Sequence, residues 1–154
     1  MKKHCPTFQK GFTLIELLVV IGILAVLLSI TLIAINPNRQ FAQANDTKRR
    51  SDVNAILNAV GQYMTDNTGT VPTGIDTTVR TITNNGTITP RVDLCSVLVP
   101  TYLASLPVDP QKGVAVATCT ATYNTDYTIT SGEGNRITVA APDVQGATAI
   151  TVTR

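Results

Sequence analysis

The sequence has little of the chemistry that enzymes and nucleic-acid-binding proteins use. It has 154 residues, of which one is histidine, none is tryptophan and only 14% are charged. The formal net charge of +2 is too small for a basic surface that binds a nucleic-acid backbone. His4, alone near the N-terminus, leaves no base for histidine-dependent catalysis and no histidine set for zinc. We therefore predict neither an enzyme nor a direct nucleic-acid binder, and no cofactor or metal.

Charge is also absent from one long stretch near the N-terminus. Residues Leu17–Ile35 form an uncharged run of 19 residues. As a helix this run would be about 28 Å long, close to the thickness of a bilayer core. Residues 1–11 contain Lys2, Lys3 and Lys10 and no acid, so we expect the N-terminus inside and the rest of the chain outside. A plain, uncleaved signal anchor is one interpretation of this pattern.

A single acid, Glu16, lies at the start of the apolar run. A carboxylate within a bilayer costs about 2.5–3.5 kcal/mol, and a buried charge normally has a partner. Two explanations are open at this point. Either the carboxylate lies near the lipid headgroups and stays hydrated, or its partner belongs to another molecule.

The residues around Glu16 resemble a known processing signal. Residues 10–16, KGFTLIE, are similar to the class III signal of type IV pilins and pseudopilins. The resemblance implies that a prepilin peptidase cleaves between Gly11 and Phe12 and that Phe12 is then N-methylated. It also implies that Glu16 pairs with the N-terminal amine of a neighbouring subunit in a helical homo-oligomeric filament. An assembly ATPase and a membrane platform are further implied partners.

Apolar periodicity predicts an amphipathic helix after the apolar run. Positions 53, 56, 57, 60 and 64 are apolar and fall on one helical face, and Gly69 followed by Pro72 predicts the end of the helix. Pro37 interrupts the helical pattern, as either a kink or a simple break between an anchor and a separate helix. The charged residues at 46–52 are interpreted first as a solvated face and second as subunit contacts. The Asp46–Arg50 spacing predicts an ion pair between these two residues of the charged segment.

The C-terminal part predicts loops and short strands. Asn84-Asn85-Gly86 predicts a hairpin turn, and strands are expected at 118–123, 127–130, 136–140 and 147–153. The predicted fold is α+β and pilin-like: a long N-terminal helix, with its hydrophobic half projecting and its amphipathic half packed on a small antiparallel sheet. The expected organisation is a leader at 1–11, a transmembrane and filament-core helix at 12–35, an amphipathic helix at 36–69 and a β-rich head at 70–154.

Removal of the leader that the resemblance implies discards Cys5 and leaves Cys95 and Cys119. In a segment expected outside the membrane, a disulfide between them is the favoured state, with two reduced buried thiols as the alternative.

Asp126, Glu133 and Asp143 are scattered in the sequence and do not favour a calcium site. Asn45-Asp46-Thr47 and Asn85-Gly86-Thr87 match the N-glycosylation pattern, which is common by chance and assigns no function by itself.

Two functions within the resembled family compete. The first is a type IV pilin of a surface fibre for adhesion, motility or DNA uptake, located in the cytoplasmic membrane before assembly and outside the cell afterwards. The second is the major pseudopilin of a type II secretion system. Residues 106–110, LPVDP, favour it, because they are similar to a segment of major pseudopilins that many bacterial pilins also have. A monomeric, signal-anchored binding module is a third class. We favour the first function.

Overall fold

The first described residues lead into a long apolar helix. The computed structural model describes residues 11–146 and 149–154, so positions 1–10 of the expected leader lie outside the described residues. Helix α1, Leu14–Ile35, has 22 residues, none of them buried. Among the described residues, α1 alone is long and apolar enough to cross a membrane.

A helix boundary lies directly before Pro37. Helix α2 is Pro37–Asp66, and Asn36 between the two helices has a left-handed backbone with φ 44° and ψ 80°. The proline ring disfavours helical geometry at the preceding residue, while its fixed φ suits the first position of a new helix. The local chemistry of Asn36-Pro37 therefore accounts for two separate helices in place of one.

Helix α2 buries the apolar stripe that the periodicity predicts. Val53, Ile56, Leu57 and Val60 are at most 2% exposed, and Met64 packs against them at the edge of the core. The helix ends at Asp66, where the Gly69 N–H donates to the Met64 carbonyl at 2.7 Å. Gly69 has φ +81° there, the left-handed conformation expected of a terminating glycine.

The chain after α2 forms a five-stranded sheet and one short helix. The sheet order is β2-β1-β3-β4-β5, and apolar side chains from its strands join the α2 stripe in one core. The α+β fold class is therefore confirmed. The elements are β1 (Arg80–Thr83), β2 (Arg91–Val92), α3 (Cys95–Leu98), β3 (Asn124–Ser131), β4 (Ile137–Ala141) and β5 (Ile150–Thr153).

The sheet is mixed, which corrects the prediction of a wholly antiparallel sheet. Strand β1 pairs antiparallel with β3, but it pairs parallel with β2 through Thr81↔Arg91 and Ile82↔Val92. The prediction of a hairpin at Asn84-Asn85-Gly86 is also wrong. The Asn84 side chain contacts the 119–123 segment, and the following loop returns the chain to the start of β1 before β2 begins.

Other strand predictions have mixed outcomes. The expected strands at 127–130 and 136–140 lie within or overlap β3 and β4. Residues 118–123 form turns and loops in place of the expected strand. The start of the expected 147–153 strand, at 147 and 148, is outside the described residues. The chain forms two compact units, the first extending to Gln40 and the second comprising Phe41–Arg154.

Candidate functional site

The start of α1 is closed by a reciprocal pair of side-chain contacts. Thr13 is the N-cap, and its hydroxyl oxygen accepts a hydrogen bond from the Glu16 backbone N–H at 3.2 Å. The Glu16 carboxylate in turn accepts from the Thr13 backbone N–H and from the Thr13 hydroxyl, both at 2.7 Å. This arrangement is a capping box, which satisfies backbone donors that the first helical turn leaves without partners.

The capping box gives Glu16 a partner within its own chain. The sequence pattern Thr-x-x-Glu at 13–16 is the signal for this cap, and the apolar run that follows does not contain it. The contact turns the carboxylate back toward the N-terminal end of the helix, and the helix dipole favours a negative charge there. Gly11 and Phe12 precede the cap in non-helical backbone, and Phe12 is 86% exposed.

The remaining surface of α1 is apolar and unpaired in the single chain. Its large aliphatic side chains are exposed by half or more of their area, from Ile33 at 84% to Leu24 at 51%. Ser29 and Thr31 leave no unpaired hydroxyl hydrogen on this surface, because their hydroxyls donate to the Val26 and Leu28 carbonyls of the same helix. Such a large exposed apolar surface is typical of contact with lipid or with other protein chains.

A second polar centre is buried around Arg49, within the compact unit Phe41–Arg154 that α2 shares with the head. The guanidinium is fully buried and binds both carboxylate oxygens of Asp109, with Nε–Oδ2 at 2.6 Å and Nη2–Oδ1 at 3.2 Å. It also donates to Asp46 Oδ1 at 2.9 Å and to Gln111 Oε1 at 3.2 Å. Asp46 then accepts from the backbone N–H groups of residues 145 and 146.

This centre corrects the interpretation of residues 46–52 as a solvated face. Asp46 and Arg49 are buried, and the ion pairs join Asp46 to Arg49 and Lys48 to Asp52 in place of the expected Asp46–Arg50 pair. Burial raises the pKa of the Asp109 carboxyl, but the Arg49 guanidinium and nearby backbone N–H groups outweigh it and leave that pKa below its usual value. The centre ties α2 to the LPVDP segment and to the loop before β5.

Two acids that are distant in sequence come together beside Lys112. The Lys112 ammonium binds Asp143 at 2.5 Å, and Asp126 lies next to Asp143. The Asp126 Oδ2 is buried and has no hydrogen-bond partner among residues 11–146 and 149–154. Burial, together with the carboxylates of Asp143 and Asp109, raises the pKa of Asp126 to about 6. Within the described part of the chain, no group of three or more His, Cys, Asp or Glu side chains is arranged to hold a metal ion.

The raised pKa of Asp126 predicts that the head gains stability on mild acidification. The unfolded carboxyl has an ordinary pKa near 3.8, so between about pH 6 and pH 4 the folded state holds a proton that the unfolded state has released. The free energy of unfolding should rise by about 1 kcal/mol from pH 7 to pH 5, allowing for solvent screening. Urea titrations of the full chain in detergent at the two pH values measure it.

The matched control for this pH effect is Asp126→Asn. An amide cannot titrate, so the rise in stability between pH 7 and pH 5 should disappear in this variant. The acids around Arg49 have lowered pKa values and lose their contribution only at more acidic pH, outside this window. A wild-type protein that loses stability on acidification to pH 5 would contradict the assignment.

The two cysteines of the head are joined. Cys95, the first residue of α3, forms a disulfide with Cys119, at a sequence separation of 24 residues. The Asn84 side chain reaches the same segment by donating to the Cys119 and Ala121 carbonyls. In the chain-entropy model, a loop of this length adds about 3 kcal/mol to the stability of the head.

The comparisons with known proteins concern the N-terminal segment. A family model described as "Prokaryotic N-terminal methylation motif" matches residues 7–32. The chain therefore carries the class III signal peptide of type IV pilins and pseudopilins, and the match includes Gly11, Phe12 and Glu16 together with most of α1. The motif implies processing by a prepilin peptidase and assembly into filaments in general. No curated protein and no solved structure matches the chain.

Proposed function

We propose that the mature chain is a structural subunit that polymerises through α1 into a type IV pilus, a surface fibre for adhesion, motility or DNA uptake. The observation that carries this proposal is Glu16: one acid in the first turn of an exposed, otherwise uncharged helix, directly after a peptidase signal. A monomeric anchored module accounts for this acid as a helix cap, but it gives no reason for the peptidase signal that surrounds it. Cleavage between Gly11 and Phe12 and methylation of Phe12 are parts of the proposal.

The physical basis of assembly is the exchange of lipid contacts for contacts between subunits. The methylated amine at Phe12 is a cation, and the Glu16 carboxylate is held at the same end of the helix by Thr13. In a core of low dielectric, an ion pair between the amine of one subunit and Glu16 of the next is much stronger than in water. A subunit in the wrong axial position would leave both charges unpaired, so the pair selects the register.

The proposed organisation follows from the same argument. Residues 1–11 are the leader, 12–35 the membrane and filament-core helix, 36–69 the amphipathic helix and 70–154 the head. The precursor lies in the cytoplasmic membrane with its N-terminus inside, and the assembled fibre is outside the cell. The contacts between subunits are heterologous, so they propagate as a helix in place of closing into a ring. An assembly ATPase and a membrane platform are proposed partners by resemblance.

A second candidate is the major pseudopilin of a type II secretion system. The observation in its favour is the LPVDP segment at 106–110, whose Asp109 holds Arg49 in the head. Electron microscopy of material sheared from the surface of producing cells, with antibodies against the head, separates the two. Long labelled fibres are the expected result. Cells that express the mature chain and show no labelled surface fibres would contradict the pilus and favour the pseudopilin.

A further inference from the structure

The loop between β1 and β2 contains a closed turn that displays one of the two glycosylation patterns. The Ile88 N–H donates to the Asn85 carbonyl at 3.2 Å, and Gly86 and Thr87 within the turn are exposed. Both the backbone N–H and the hydroxyl of Thr87 donate to Asn85 Oδ1, at 3.1 and 2.9 Å. The hydroxyl that the pattern requires is therefore already in contact with the acceptor amide.

These contacts engage the oxygen of the Asn85 amide and leave its nitrogen available. Asn85 Nδ2 has no hydrogen-bond partner among the described residues, and the side chain is partly exposed. The neighbouring Asn84 differs, because its Nδ2 donates to the Cys119 and Ala121 carbonyls and its Oδ1 accepts from the Tyr123 N–H. Asn84 therefore anchors the loop to the disulfide segment while Asn85 faces outward on the turn.

The other pattern, at Asn45, is held in a form that an external enzyme cannot use. Asn45 lies within α2, and its Nδ2 donates to Gln145 Oε1 at 3.0 Å. The Thr47 hydroxyl donates to the Gln43 carbonyl of the same helix at 2.8 Å, so it does not contact the Asn45 amide. Using this asparagine would require unwinding a helix whose next residue, Asp46, is part of the buried Arg49 centre.

We propose that Asn85 is an N-glycosylation acceptor for a lipid-linked oligosaccharide diphosphate. In this reaction Asn85 Nδ2 attacks the anomeric carbon of the sugar and forms a new C–N bond. The bond between that carbon and the diphosphate oxygen breaks, the lipid diphosphate leaves with the electron pair, and the amide nitrogen loses one proton to a base. The assignment rests on the proposed function only for its topology, which puts the head on the side of the membrane opposite to the N-terminal lysines.

Tryptic peptide mapping of the full chain from the cells that produce it tests this inference. Cleavage after Arg80 and Arg91 gives the peptide 81–91, which contains Asn85. The expected result is a glycan linked to Asn85 in this peptide, lost completely in Asn85→Gln and Thr87→Val and retained in Thr87→Ser. Asn45→Gln is the matched control and should keep the glycan at Asn85.

Several results would overturn the assignment. These are a peptide 81–91 without any added sugar, a peptide in which Asn85 is only converted to the acid through the adjacent Gly86, and a glycan attached elsewhere. The mature N-terminus of the same preparation separates this inference from the proposed function. A methylated Phe12 with an unmodified 81–91 peptide refutes glycosylation alone, whereas a glycosylated but uncleaved chain supports glycosylation and contradicts the filament subunit.

Discussion

Replacing Glu16 by Gln is expected to reduce the yield of fibres about 100-fold while leaving processing of the leader intact. The variant removes the negative charge, so in the proposed filament the methylated amine of the neighbouring subunit would be buried without a counter-ion. Removing one partner of a buried ion pair costs about 3 kcal/mol or more, and about 1.4 kcal/mol corresponds to a tenfold change in association. Quantitative immunoblots of sheared fibres against total mature subunit measure the effect.

The choice of glutamine separates charge pairing from helix capping. An amide oxygen can still accept the hydrogen bond from the Thr13 backbone N–H, so the capping box survives in Glu16→Gln. Thr13→Val is the complementary variant, because it removes the hydroxyl contacts and keeps the charge. We expect Thr13→Val to assemble better than Glu16→Gln. Normal fibre yield from Glu16→Gln would mean that Glu16 serves only to begin the helix.

The second large effect is expected from Arg49→Met, which should lower the free energy of unfolding of the head by about 3–5 kcal/mol. Methionine fills much of the same space but leaves Asp109 and Asp46 buried without their cation. The loss should also loosen the 145–146 loop, because its N–H groups bind Asp46. Urea unfolding of the full chain in detergent, followed by circular dichroism, measures the change.

Arg50→Met is the matched control for this prediction. Arg50 is the next residue on the same helix, and it is exposed, whereas Arg49 is fully buried. A surface substitution away from special features changes stability by about 0.5 kcal/mol or less. Equal effects of the two substitutions would show that the Arg49 centre is not a major source of stability. We also expect the destabilised Arg49→Met variant to fail in fibre assembly, whereas Arg50→Met should assemble normally.

The features that could be predicted from the sequence are those encoded by neighbouring residues. The apolar run, the 53–64 stripe and the turn after Asp66 each depend on residues within a few turns of helix, where periodicity and glycine chemistry act. The capping box at 13–16 is equally local, and its Thr-x-x-Glu pattern was available in the sequence. The apolar segment around Glu16 indicates only what its charge costs, whereas the Thr-x-x-Glu spacing indicates the cap.

The features that could not be predicted depend on residues that are distant in sequence. Asp109, which binds Arg49 through both carboxylate oxygens, is 60 residues away in the LPVDP segment. The backbone donors to Asp46 are 99 and 100 residues away. Without those partners, a cluster of charges on a helix is more often a solvated face. The parallel pairing of β1 with β2 could not be predicted either. The Asn-Gly turn signal predicts an antiparallel hairpin, and it does not indicate that the Asn84 side chain binds another segment.

The central claim is that Phe12 becomes the methylated first residue of the subunit, and the intact mass of the mature chain tests it most directly. The expected mature chain lacks residues 1–11 and carries one added methyl group on the Phe12 amine. Gly11→Val should prevent cleavage and preserve the full-length mass, because the peptidase then meets a branched side chain at the cut. A wild-type protein that still begins at Met1, or that is cleaved at another position, would contradict the account.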